Sequence, residues 1–372
     1  MRLGETRLGE AELYDEKVLA PIRGWCSRNP APLVSPVEAL SDLVSEGNLQ
    51  HVPLPASGRT LVRFKALALF GSHDLALARL VEGHLDALAI LAEAGMRPAK
   101  SATFGVFAAG PPSDVTARRL DDSSWVLDGT RRWCSGAADL TAGLVTAADI
   151  SEEEQGDPGA QGAALFLVDL RAPGVEVDRR SWPAVGMARS ATFDITLDGV
   201  KVTSGGQVGK PGWYLDRPGF HFGSTGVAAV WLGGAAGIAR ALESRVEHTP
   251  TGHGRAAHGD VTALLWSMSY VLQNAACVID AGGARNSSRL EIVSLASRLS
   301  VERGCTAVLR LVGEATGAGP LGHDAAHSHL VADLTVYLRQ HHGRADAEQL
   351  SRALSSEREA GSPATAAPRD LW

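Results

Sequence analysis

Between residues 74 and 94 the apolar positions Leu77, Leu80, Val81, Leu85 and Leu88 fall three and four residues apart, the spacing of a helix that buries one face. Gly95 closes this run as a C-terminal cap. Weaker helical patterns, broken by Pro- and Gly-bearing loops, precede it near 10–26, 36–46 and 60–70. From about 101 the pattern shortens to strand-like runs. Trp125-Val-Leu-Asp-Gly129 alternates into a hairpin turn predicted at Asp128-Gly129, with Trp133, Cys134 and Ser135 on the returning strand. Ala164-Leu-Phe-Leu-Val-Asp-Leu170 is a further apolar run, and the polar loop 151–159 is expected to project into solvent. Helical spacing returns at about 217 and predicts helices near 217–248, 258–282, 286–316 and 324–343, which pack naturally as an antiparallel four-helix bundle.

The expected fold is therefore mainly α with a central β domain. It comprises an N-terminal helical domain over 1–100, a middle β-barrel or sandwich domain over 101–208, a four-helix bundle over 209–350 and a disordered tail over 351–372. Within the bundle, Gly233-Gly-Ala-Ala-Gly237 leaves two readings open: close helix packing, or room for a bulky ligand.

Composition narrows the function. A chain of 372 residues divides into two or three units, and a net charge of -7 with no basic block argues against general nucleic-acid binding. The charged start lacks a signal core, and no apolar run reaches the ~20 residues of a membrane span. Cys26, Cys134, Cys277 and Cys305 lie far apart without a CxxC pair, which reads as mostly buried thiols in a reducing compartment, the cytoplasm.

The order of units resembles the acyl-CoA dehydrogenase family, and so do motifs along nearly the whole chain. Gly110-Pro-Pro-Ser113-Asp114 is similar to that family's loop ending Gly-Ser-Asp. Gly129-Thr-Arg-Arg-Trp133-Cys-Ser135 is similar to its Gly-x-Lys-x-Trp-Ile-Thr/Ser strand, and Gly186-Met-Ala-Arg189-Ser-Ala-Thr192 with Asp198-Gly-Val resembles its closing hairpin. Arg255-Ala-Ala-His258-Gly259 resembles its Arg-x-x-Phe-Gly, and Thr316-Gly317-Ala-Gly319 its Gly-Gly-x-Gly turn. The resemblance implies FAD between the β unit and the bundle, with Trp133, Cys134 and Ser135 at the isoalloxazine and Ser135 offering a hydroxyl and backbone N–H groups. It implies Arg255 at the pyrophosphate of a neighbouring subunit's FAD, Gly317 and Gly319 as further cofactor-binding residues, and Ser113 near the acyl-CoA pantetheine. The bland alternatives are a core aromatic at Trp133 and an exposed loop charge at Arg255. The implied reaction is α,β-dehydrogenation of an acyl-CoA thioester with hydride transfer to flavin N5. Its partners would be an electron-transferring flavoprotein and further copies of the chain, in a homodimer or homotetramer.

Three departures complicate that expectation. Phe107 and Ala108 stand where the family has Thr-Glu, whose Thr binds the flavin pyrimidine. The usual catalytic Glu, counted from Asp333, falls on His341, and the alternative position on the first bundle helix holds Val227. No carboxylate occurs between Arg217 and Leu242. His341, with His342 beside it, is the remaining catalytic candidate. An imidazole there can hold or protonate an oxygenated flavin or serve as a weaker base, or the pair can simply complement a helix C-terminus. The alternatives are thus a flavin monooxygenase of the same fold fed by a flavin reductase, or a non-catalytic subunit of a heteromer. Two motifs are decoys. Gly317-Ala-Gly-Pro-Leu-Gly322 spells GxGxxG but follows a helix and contains Pro320. His323-Asp-Ala-Ala-His327 is better explained by Asp324 as an N-cap than by a metal, and none is expected.

Overall fold

A computed structural model describes residues 10–121, 124–151, 163–282 and 287–359. The expected solvent loop lies outside them beyond Ser151, as do residues 360–372 of the expected tail. The first unit holds α1 (Glu10–Arg28), α2 (Pro36–Ser45), α3 (Thr60–His73) and α4 (Leu75–Glu93). Their starts are written in the sequence. Ser35 accepts from Glu38 N at 3.3 Å ahead of Pro36, and Asp74 Oδ1 accepts from Leu77 N at 3.0 Å to open α4. Gly95, at φ +73°, ends α4.

The middle unit holds β1 (Phe104–Phe107), β2 (Val115–Asp121), β3 (Ser124–Ser135), β4 (Ala142–Asp149), β5 (Ala164–Asp169), β6 (Val175–Asp178) and β7 (Thr192–Thr203). They form one sheet in the order β1-β4-β2-β3-β7-β6, with β5 paired to β4. The hairpin turn expected at Asp128-Gly129 is not there. β3 runs straight through it, and β2 and β3 pair from Asp121 and Ser124 onward. Gly129 instead marks a bulge, where a Cβ would stand 2.9 Å from Val115 Cα and closer still to Asp114 O.

The third unit begins with α5 (Trp213–Asp216) and continues through α6 (Gly219–His248), α7 (Gly252–Asp280), α8 (Ser287–Thr316), α9 (Ala318–His323), α10 (Ala325–Tyr337) and α11 (Arg344–Glu359). Helices α6, α7 and α8 pack together, and the fourth place in the bundle is shared by α10 against α6 and α11 against α8. The helix expected to run to 343 stops at Tyr337. A 3-10 turn, Leu338–Gln340, and Gly343 at φ +58° redirect the chain there. Residues 351–359, expected as the start of a disordered tail, belong to α11.

The glycine-rich stretch of α6 is a contact surface. A Cβ on Gly233 would lie 2.8 Å from the Cα and carbonyl carbon of Ala68, and one on Gly237 would lie 2.8 Å from Ser72 O. Helices α3 and α6 therefore meet backbone to backbone, which leaves no room for a ligand between them. Contrary to the sequence reading, α6 and α7 are each long and apolar enough to cross a bilayer by length and composition. α6 spends that apolarity on the core, whereas α7 shows Trp266 and Tyr270 to solvent. All four cysteines are free; against the expectation of mostly buried thiols, only Cys134 and Cys305 are buried, Cys26 is half-buried and Cys277, on α7, is exposed.

Candidate functional site

The site grows from the end of the β3–β7 ladder in the middle of the sheet. A register shift between Arg131 and Cys134 leaves Trp133 at φ +61°, with its N–H held by Asp194 Oδ1 at 3.1 Å. The indole is 53% exposed, an unusual position for so large a ring. Arg131 does the opposite. Its fully buried guanidinium donates to the carbonyls of Ala109, Pro111, Pro112 and Thr146 at 2.5–3.3 Å. That fan of donors pins the 109–112 loop to β4 and leaves Ser113 exposed beside Asp114, which pairs with Arg132 at 3.3 Å. Cys134 is fully buried, and desolvation pushes its thiol well up.

Ser135 heads a chain of hydroxyls. Its Oγ lies 2.9 Å from Thr192 Oγ1, which lies 2.8 Å from Ser190 Oγ, which lies 2.7 Å from Met187 O. The backbone N–H groups on either side are already used: Trp133 N on Asp194, and Gly136 N on Ser190 O and Ala191 O. Ser135 borders a narrow gap lined by Arg79, Leu80, Gly83, Phe107 and Leu140. Phe107 lies flat on the sheet. A Cβ on Gly105 would be 2.5 Å from its ring and one on Gly143 closer still, so two glycines make the berth for this aromatic.

On the far side of the gap, α4 carries a row of charges. Arg79 and Glu82 form a buried ion pair, and Tyr337 Oη reaches Glu82 Oε2 at 3.4 Å. Burial pushes the Glu82 carboxyl up against the pull of Arg79. Asp86 follows one turn later. It keeps some accessible surface, yet desolvation dominates and raises its carboxyl against Arg217, Arg63 and Arg79. Among the described residues Asp86 has no hydrogen-bond or ion-pair partner, whereas Arg217 pairs with Glu93 at 3.1 Å. Arg298 sits 4.8 Å over the ring of Trp231, which meets Tyr337 edge to face. Sequence reasoning passed over this cluster. Its signal was present: Arg79, Glu82, Asp86 and Glu93 recur at three, four and seven residues, a charged stripe inside a helix otherwise apolar.

Asp333 ties the two sides together. It accepts from Met187 N at 2.5 Å and pairs with Arg189, which also pairs with Asp74 at 2.6 Å. Asp333, Tyr337 and His341 follow at four-residue steps. The His341 side chain is buried, and its Nδ1 accepts from Gly343 N at 3.0 Å. The ring proton therefore sits on Nε2, which lies 3.5 Å from Asp346 Oδ2 and makes no hydrogen bond. Burial holds the imidazole below its ordinary range, with Asp346 opposing. His342 is exposed and 3.3 Å from the same Asp346.

Ser113, Trp133, Cys134 and Ser135 thus share one edge of the β unit, and His341 lies at the α10–α11 junction. Arg255, Gly317 and Gly319 gather elsewhere, at the end of the bundle where α7 begins and α8 ends, and all three are exposed. Arg245 Nη1 reaches Thr316 O across that end at 3.5 Å. Asp324 caps α10 by accepting from His327 N at 3.0 Å, and among the described residues no group of His, Cys, Asp and Glu could hold a metal. Trp133 and Ser135 sit two residues apart on β3, and among the described residues Arg79 Nε, Trp231 Nε1 and His341 Nε2 are buried without a hydrogen-bond partner.

The family model described as the acyl-CoA dehydrogenase middle domain matches residues 109–200, and over that unit the chain is similar to that family. A cyclohexane-1-carbonyl-CoA dehydrogenase of Syntrophus aciditrophicus is 29% identical over 183 residues, 46% of this chain and 44% of that one. A probable short/branched chain specific acyl-CoA dehydrogenase of Dictyostelium discoideum is 28% identical over 170 residues, 45% of this chain and 38% of that one. The chain spans less than half the length of these relatives. Solved structures align almost end to end. FMN-bound TdsC from Paenibacillus, a dibenzothiophene monooxygenase, gives a TM-score of 0.72 at 18% identity over 92% of this chain and 95% of that one. A nitrososynthase from Micromonospora carbonacea gives 0.74 at 19% identity over 93% and 97%. At such identities the likeness is one of fold.

Proposed function

We propose that this chain is a flavin-dependent oxidoreductase that transfers oxygen to its substrate, using reduced flavin supplied by a partner reductase. The carrying observation is the hydrogen bond from Gly343 N to His341 Nδ1 at 3.0 Å. It commits the only lone pair of the neutral imidazole, so His341 cannot remove an α-proton from a thioester. What remains is an Nε2–H that can only donate, which suits holding or protonating an oxygen atom. A bound flavin would supply the two-electron reductant for activating oxygen. Trp133 would stack on the ring, Ser135 would meet its edge, and the Arg79–Glu82–Tyr337 line would hold a proton behind the gap. The near-complete structural alignment with a monooxygenase bound to FMN supports the same reading.

Dehydrogenation of an acyl-CoA is the second reading. One observation favours it: Asp86 is a half-buried carboxylate with no hydrogen-bond or ion-pair partner among the described residues, its carboxyl raised by desolvation, and it could replace the missing Glu as base. The exposed Arg255, Gly317 and Gly319 would serve the pyrophosphate of FAD in an adjoining copy, and the apolar outer face of α7 at Trp266 and Tyr270 supports a homo-oligomer. The test is oxygen uptake by the flavin-loaded protein with a reductase, beside anaerobic bleaching by a panel of acyl-CoA esters. Uptake that vanishes in His341→Ala is expected. Ready anaerobic bleaching by an acyl-CoA would refute the oxygenase reading in favour of dehydrogenation.

A further inference from the structure

Gly237 marks the place where α6 and α10 part. A Cβ on Gly234 would lie 3.3 Å from Leu334 Cδ1, and one on Gly237 3.0 Å from Leu330 Cδ1, so the two helices touch there and run antiparallel. One turn further on, the facing residues Ala241, Ser244 and Ala326 are too small to fill the space between them. The result is a cleft of about 750 Å³, bounded also by His73 at the end of α3 and by Pro30 and Ala31. It lies apart from the gap at Ser135 and shares no residue with it.

The wall of this cleft is rich in donors. Arg240 is held by Ser72, with Nη1 on the carbonyl at 3.0 Å and Nη2 on the hydroxyl at 3.1 Å, and among the described residues no carboxylate pairs with it. His327 is only 6% exposed, yet its Nδ1 has no hydrogen-bond partner. Burial keeps this imidazole below its ordinary range, with Asp324 opposing, so the neutral ring offers one N–H. His323 stands four residues before it and is exposed. The first turn of α10 also lines the cleft, and the N–H groups of Ala325 and Ala326 have no partner among the described residues. Asp324, the one carboxylate on the wall, is committed to capping, its Oδ1 accepting from His327 N at 3.0 Å. A guanidinium, two imidazoles and a helix amide end are more donors than a flat, two-oxygen carboxylate can use. They suit a tetrahedral group with three outer oxygens. We propose that the cleft binds a phosphorylated small molecule, its phosphate held by Arg240, His323, His327 and the start of α10, its organic part against Pro30, Ala31 and Leu330. The proposal is independent of the flavin reading. Gly319 also lines the cleft, but Gly317 and Arg255, the other residues matched to cofactor binding at that end of the bundle, do not.

The experiment titrates the purified full chain with phenyl phosphate, inorganic phosphate and phenol by isothermal calorimetry. Phenyl phosphate should fill one site per chain, inorganic phosphate the same site about tenfold more weakly, and phenol should not bind. Arg240→Met keeps the apolar stem, removes the charge and should weaken phenyl phosphate by about tenfold or more. His323→Ala, at an exposed position, should weaken it by about threefold, and it decides the matter alone if Arg240→Met does not fold. Absence of saturation at millimolar phenyl phosphate, or an affinity unchanged in a folded Arg240→Met, would overturn the proposal and leave the flavin reading standing. Competitive displacement of phenyl phosphate by FAD would overturn it as well, because the cleft would then be part of the cofactor's own site.

Discussion

Changing Gly233 to Ala separates two effects that usually oppose each other in a helix. An alanine in a helix interior is favoured over glycine by about 1 kcal/mol, since glycine has more backbone freedom to lose. At Gly233 the new methyl would sit 2.8 Å from Ala68 Cα and its carbonyl carbon, against the 3.4 Å of ordinary contact, and nearer still to the oxygen. Helices α3 and α6 would have to part by at least 0.6 Å, and both partners are backbone, which cannot rotate away. Overpacking of this kind costs roughly 1–3 kcal/mol or more. Parting the helices would also loosen Gly71 and Gly237, which make the same close approach along the same seam. The expected net is a loss of about 2 kcal/mol or more, after the propensity gain. Gly259, interior to α7 and exposed, supplies the control: nothing lies within 4 Å of its added Cβ. Gly259→Ala should raise stability by roughly 0.5–1 kcal/mol. Urea unfolding of both variants beside the parent gives the signs. Gly233→Ala as stable as Gly259→Ala would refute the backbone-to-backbone seam.

The other expectations concern charge and the site. Asp86→Asn should stabilise the protein at pH 8 and lose that advantage as pH falls. Burial raises the folded-state pKa, so ionised Asp86 destabilises the fold above that pKa and the penalty disappears below the ordinary carboxylate range. A thermal melt at pH 8 in which the variant is the weaker protein would show Asp86 to be a structural partner. His341→Ala should abolish oxygen uptake while His342→Ala, exposed on the same turn, leaves it nearly unchanged; equal losses would remove the special role of the buried ring. Trp133→Ala should leave the melting temperature within about 2 °C, since the indole is exposed, yet weaken flavin binding by about tenfold. Unaltered flavin affinity would place the ring outside the site.

Much of the fold was legible because local rules agreed with the tertiary result. Ser35, Asp74 and Asp324 each cap the helix that the pattern opens there. The misplaced hairpin at Asp128-Gly129 has a clear cause. A glycine after an aspartate signals a turn in isolation, but here the neighbouring chain comes so close that only glycine fits. The early stop of α10 depends on Gly343, a residue the histidines drew attention away from. For the site, the edge residues around Trp133 were visible as a motif. The charged stripe of α4 was passed over, since the apolar spacing of the same helix dominates its pattern. The Ser135–Thr192–Ser190 hydroxyl chain was not readable at all, since it depends on which oxygens meet across β3, β7 and the 187–190 turn.

Phe107 carries a last consequence, one about coupled positions. Its ring occupies space that exists only because residues 105 and 143 lack side chains. Replacing Phe107 by a threonine would empty that berth at a cost of roughly 3 kcal/mol or more. Placing a side chain at 105 or 143 first would collide with the ring. Each of these single changes is therefore destabilising, because the ring and the two glycines fit only together. The three positions are thus coupled: a side chain at 105 or 143 requires a smaller residue at 107.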